Sequence, residues 1–171
     1  MNPYVNLAKQ AVETYIKTGK VIKPSKDLPK EMISQKAGTF VTLMKGKKLR
    51  GCIGTYQATK PNIATEIISN AIAAATKDFR FPPLSQDELE QISYSVYILE
   101  TPTEIKSLDE LDPKKYGILI RSDTGKSGLL LPDLDGIDTV AQQLNAVCHK
   151  CGIIPGKEQV TICRFKVQKY K

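Results

Sequence analysis

Leu49-Arg50-Gly51-Cys52-Ile53-Gly54 is the stretch of this 171-residue chain best equipped for chemistry. On an extended strand, residues two apart share a face, so Arg50 and Cys52 are expected to project together while Leu49, Gly51 and Ile53 turn to a core. A guanidinium about 6–7 Å along the same face favours a thiolate. The glycines at 51 and 54 let a ligand or a neighbouring backbone come close to the thiol. That makes Cys52 a candidate nucleophile, with backbone N–H groups near Gly51 and Gly54 as oxyanion donors. The chain has a single histidine, His149, as a candidate base. Against covalent chemistry stands the usual role of a small buried cysteine, which is to fill a tight gap. A place in a binding pocket is the stronger expectation.

A second constellation is Asp78 with Arg80. Together with Arg50 they offer two cations and a carboxylate, able to grip a carboxylate or phosphate in bidentate fashion. The plain alternative is a structural ion pair with Phe81 in the core. Cys148-His149-Lys150-Cys151 is a C-x-x-C, but it falls at the end of a helix, where the dipole opposes a thiolate. It lacks two further ligands for zinc. Asp133-Leu134-Asp135-Gly136-Ile137-Asp138 resembles part of a calcium loop without its closing glutamate, and reads as a loop and helix cap.

These groups need elements to hold them. Residues 4–18 repeat apolar positions at helical spacing and stop at Gly19. Lys20 to Gly38, with two prolines and many lysines, reads as a surface connection. Thr39–Met44 and Lys48–Ile53 form a hairpin around Lys45-Gly46-Lys47. Asn62 caps a helix over 63–76, and Ser85 with Glu88 forms a capping box for a short helix through Glu90. Ile92–Glu100 alternates as a strand. Leu108–Leu111 is a helical turn, and Gly117–Arg121 with Gly128–Leu131 make a second hairpin. Asp138 caps a helix to about Cys151, and Gln159–Gln168 is a final strand. Hairpins and separate helices without repeated strand–helix–strand units give an α+β fold, mostly antiparallel sheet flanked by helices. No glycine-rich nucleotide motif is present.

Composition sets the outer limits. The chain is 41% hydrophobic and 25% charged, with a net charge of +7. It is too apolar for disorder and long enough to bury a core. No apolar run approaches a membrane span, and the N-terminal pattern lacks the apolar centre of a secretory signal. Four scattered cysteines fit a reducing cytoplasm. The charge is uneven: 12 basic against 3 acidic residues over 1–60, 7 against 14 over 61–138, and 6 against 1 over 139–171. The basic parts are mostly lysine without interleaved aromatics, which argues against nucleic acid.

The hexapeptide carries a resemblance. With Phe40-Val41-Thr42-Leu43 before it and Asp78, Arg80 and Phe81 after it, the chain resembles the AMMECR-one domain family, called AmmeMemoRadiSam system protein A in prokaryotes. The likeness runs from about Gly38 to the end, through Glu88-Leu89, Ser95-Val96, Gly117, Leu130-Leu131-Pro132 and Cys148–Gly152. Two departures from the family pattern are visible: Phe79, usually small or proline, and His149 with Cys151.

The resemblance implies one domain over 1–171, with a smaller second lobe and one cleft holding the hexapeptide. No cofactor is expected, and the resemblance implies association with a Memo-like protein and a radical S-adenosylmethionine protein. The expected site is Arg50, Gly51, Gly54, Asp78 and Arg80 around Cys52, taking a small anionic or nucleotide-like ligand. The chain would act as an enzyme or accessory subunit in a modification pathway. The alternative is a non-catalytic adaptor.

Overall fold

A computed structural model describes residues 2–171. The chain divides into two compact units, Met1–Leu99 with Gln168–Lys171, and Glu100–Val167. Helix α1 (Pro3–Thr18) is capped by Asn2 and closed by Gly19. A short α2 (Lys30–Ser34) follows, then strands β1 (Gly38–Lys45) and β2 (Lys48–Thr55) and helix α3 (Ile63–Thr76). A 3-10 turn over Gln86–Gln91 leads into β3 (Ile92–Leu99). Of the segment expected to be surface connection, Met32 on α2 is fully buried, so that stretch contributes to the core.

The first unit is built on a sheet of order β2-β1-β3-β8, where β8 is Val167–Tyr170. Both β2 and β3 run antiparallel to β1. Alternation along β3 turns Ile92, Tyr94 and Val96 inward, against Val41 and Leu43 of β1. Helices α1 and α3 close over them. The small residues in the C-terminal half of α3, Ala71, Ala74 and Ala75, bring its backbone close to the strands. At Gly51 an added Cβ would overlap the Ala74 carbonyl oxygen, and at Gly54 it would overlap Phe40 and the Thr39 carbonyl.

A buried polar network ties α3 to the far end of β2. Glu66 is 1% exposed. It accepts from the hydroxyls of Thr55 and Thr59 and the backbone N–H groups of Thr59 and Lys60, each at 2.7 Å. Burial pushes its carboxyl up, but the four hydrogen bonds outweigh that and the net shift is downward. Asn70 beside it donates to the Thr39 carbonyl and to the hydroxyls of Thr39 and Thr55. Glu66→Gln swaps an acceptor-only group for an amide facing backbone donors. Urea unfolding should show a loss of about 1–2 kcal/mol, whereas an exposed glutamate would show none.

The second unit is a sheet of order β4-β7-β5-β6, comprising β4 (Thr103–Glu104), β5 (Gly117–Ser122), β6 (Ser127–Leu130) and β7 (Val160–Phe165). Its pairings are antiparallel. Helix α4 (Val140–Cys151) packs Val147 and Cys148 onto Ile118 and Ile120. Its cap is Thr139, one residue later than the expected Asp138, because Thr139 and Gln142 complete a capping box. The expected single strand over 159–168 is two strands in different sheets, β7 here and β8 in the first unit. The molecule is thus α+β, with a smaller second unit. Among the described residues no helix is long and apolar enough to cross a membrane.

Candidate functional site

The hexapeptide lies on β2, an edge strand, and the segment that follows α3 covers that edge. The Cys52 N–H donates to Asp78 Oδ2 at 2.9 Å, off the ladder that β2 makes with β1. Two residues back, Arg50 Nη1 donates to the Pro82 carbonyl at 3.0 Å. An open strand edge invites pairing with other chains, and here residues 78–88 occupy it.

A bulge breaks the expected alternation. Leu43 pairs with Gly51 but Met44 pairs with Leu49, which leaves Arg50 as the extra residue. Leu49 is 37% exposed, so it does not enter the core as the strand pattern predicts, while Gly51 is buried and Ile53 packs on the core. The bulge re-aims Arg50. Its Nε and Nη2 take the two oxygens of Glu88 at 3.0 and 2.8 Å, and Nη2 also reaches the Pro83 carbonyl at 3.5 Å. Arg50 therefore pairs with Glu88 and braces the loop.

Glu88 is a hub that local sequence reading assigns only to a cap. It does make the capping box, accepting the Ser85 N–H at 3.2 Å. It also meets Arg50 and Lys45, the latter at 3.2 Å. The Arg50 hydrogen bonds, against a smaller opposing effect of burial, hold its carboxyl far below the usual carboxylate range. The spacing of 38 residues from Arg50 leaves no local signal for that pairing.

Asp78 is the second hub. It holds Arg80 in a fork, Nε to Oδ1 at 3.0 Å and Nη2 to Oδ2 at 2.8 Å, and accepts the Arg80 N–H as well as that of Cys52. The Arg80 hydrogen bonds lead burial in setting its carboxyl, which drops to about 2. Both guanidinium groups stand near the Phe81 ring, Arg50 at 5.9 Å and Arg80 at 5.5 Å from its centroid. The constellation is thus two separate ion pairs sharing one aromatic ring. Asp78 does not pair with Arg50.

Three groups remain directed outward. The Arg80 side chain is 46% exposed although fixed by Asp78. Cys52 is half-buried, and the Thr42 hydroxyl donates to its sulfur at 3.2 Å. Arg80 is a cation within electrostatic reach of that sulfur. Phe79, the residue after Asp78, is 96% exposed. The Cys52 N–H is already given to Asp78, so it is not available as an oxyanion donor. At Gly51 and Gly54 the space beside the missing side chains is occupied by the protein itself. His149 lies on an exposed position of α4 in the second unit.

Two antiparallel sheets, each with its own helices, and a cysteine–arginine–aspartate cluster on a covered strand edge define an α+β protein with one polar site on its first unit. The profile of the AMMECR1 family matches residues 5–170, and the chain belongs to that family. A protein of Thermotoga maritima is 50% identical across 99% of this chain and 98% of its own length. One of Clostridium acetobutylicum is 44% identical over 99% of this chain, which spans only 36% of that longer protein. The crystal structure of an uncharacterised protein from Pyrococcus horikoshii superposes with a TM-score of 0.89 at 32% identity, covering 97% of this chain and 88% of the other.

Proposed function

We propose that the first unit binds a small anionic or nucleotide-like ligand at Cys52 and Arg80, serving as an enzyme or accessory subunit in a modification pathway. The observation that supports this reading is the shared carboxylate of Asp78. One group fixes both the Arg80 guanidinium and the Cys52 backbone, so a half-exposed cation is held in a set orientation beside a thiol. Preorganised donors of this kind bind carboxylate and phosphate without the entropy cost of ordering a long side chain. Arg50 contributes indirectly by fixing the loop that carries Arg80.

Protection of the thiol tests this. Alkylation of Cys52 by iodoacetamide, followed by peptide mass, should slow in the presence of inorganic phosphate or adenosine monophosphate in wild-type protein and not in Arg80→Gln. Unchanged alkylation across phosphate, nucleotides and small carboxylates would end the ligand reading. Without ligand, Arg80→Gln should itself slow alkylation at neutral pH by about three- to tenfold, because the thiolate is the reacting form and the nearby cation favours it.

A second reading rests on Phe79. A phenylalanine 96% exposed, on a loop fixed by Arg50 and Asp78, is the kind of rigid aromatic anchor that protein interfaces use. On this reading the chain is an adaptor, with a Memo-like protein or a radical S-adenosylmethionine protein as its partner. Cys52→Ala would then leave docking intact while Phe79→Ser abolishes it.

A further inference from the structure

The second unit carries a cavity of about 370 Å³, walled by one face of α4, by strands β5 and β7 and by the loop after the helix. Ile120, Leu144, Cys148, Ile153 and Ile162 line it, and Leu108 and Val160 stand at its wall. The volume lies at the lower end of the range for small-molecule sites, roughly 300–1,000 Å³. Six large apolar side chains are conspicuously exposed among the described residues. Leu108 (51%) and Val160 (41%) are two of them, and a third, Ile154 (50%), adjoins lining residues 153 and 155. Half of these six side chains thus gather around one concavity. Scattered exposure is ordinary; this concentration is not.

The wall is built rather than loose. Glu158 has a side chain only 7% exposed, and it accepts the Ile154 N–H at 2.8 Å. It pairs with Lys126 at 3.2 Å and takes the Thr124 hydroxyl. Lys126 in turn donates to the Gly152 carbonyl at 2.8 Å. These bonds fasten residues 152–158 to the β5–β6 turn, so the cavity is held open by polar groups behind its apolar face. Glu158 and Cys148 are its two ionisable lining residues. The first is compensated by Lys126, and burial pushes the thiol of the second up, leaving it neutral. The exposed Asn145 adds one uncharged amide to the lining.

We infer that this cavity is a binding site for an uncharged, mainly apolar small molecule carrying one hydrogen-bonding group, which Asn145 would meet. An anionic headgroup finds no cation among the lining residues, and Lys126 behind the wall is already taken by Glu158 and the Gly152 carbonyl. The site lies wholly within the second unit, and the inference stands independently of the reading of Cys52 and Arg80.

A methyl-labelled sample of the whole chain, titrated with 1-octanol and separately with octanoate and followed by NMR, tests it. Octanol should give saturable shifts at the Ile120, Leu144 and Ile162 methyls, with octanoate at least tenfold weaker. Leu108→Asp and Val160→Asp, both at exposed positions, should each weaken octanol at least tenfold while methyl signals of the first unit stay in place. Shifts that grow without saturating would overturn the inference. So would octanoate binding as tightly as octanol, or a folded Val160→Asp or Leu108→Asp protein that binds octanol like the wild type.

Discussion

Arg50→Met is expected to lower the unfolding free energy by about 3 kcal/mol, the cost of leaving a largely buried carboxylate without its guanidinium. The Arg50 and Glu88 side chains are 11% and 15% exposed, so water replaces little of what is lost. Methionine keeps the stem volume, which isolates the charge from the packing. Four hydrogen bonds that brace the 82–88 segment disappear together, so local protection from hydrogen exchange over 78–88 should fall with the global stability. A double variant, Arg50→Met with Glu88→Leu, should recover part of the loss, since the carboxylate deprived of its guanidinium is gone, while the bonds to the Pro82 carbonyl and the Ser85 N–H stay lost. The acid limb separates this from ordinary packing damage. The Glu88 carboxyl is lowered in the folded state, so its contribution is complete above its unfolded value near 4.3 and fades as pH falls through its folded one. Between pH 5 and 2 the wild type should lose stability more steeply than Arg50→Met.

Gly51→Ala is the second large effect, expected at about 3 kcal/mol, the upper part of the range for overpacking. The added carbon meets the Ala74 carbonyl oxygen, a backbone atom in the last turn of α3 that no side-chain rotation can move. Relief requires α3 to lift from the sheet, and α3 also carries Glu66 and Asn70, whose bonds hold β1 and β2. Thermal unfolding followed by far-ultraviolet circular dichroism should show the loss. A melting temperature equal to the wild type's would mean that the glycine serves something other than helix approach.

Much of this architecture is legible in the residues themselves. The Asn62 and Ser85 caps, the β1–β2 turn and the alternation along β3 are local chemistry, and each element lies where its pattern puts it. What local pattern cannot carry is pairing at a distance. The bulge at Arg50 depends on the register with Met44, and without it Leu49 reads as core when it is exposed. The division of residues 159–168 between two sheets depends on which unit each strand meets. Glu66 reads as an ordinary residue in the first turn of a helix, because its four donors come from a strand end and a loop. At the site, the residue types Cys52, Asp78 and Arg80 were legible, but the division of labour between the two arginines was not. It turns on Glu88, whose local signature is a helix cap.

That division is the centre of the account: Arg50 holds the loop, and Arg80 presents charge beside the thiol. Paired alkylation with iodoacetate and iodoacetamide tests it without knowing the natural ligand. In wild-type protein Cys52 should react faster with the anionic reagent, relative to the neutral one, than a simple thiol does. That preference should vanish in Arg80→Gln and persist in Arg50→Lys. A preference for the neutral reagent, unchanged between wild type and Arg80→Gln, would contradict the account.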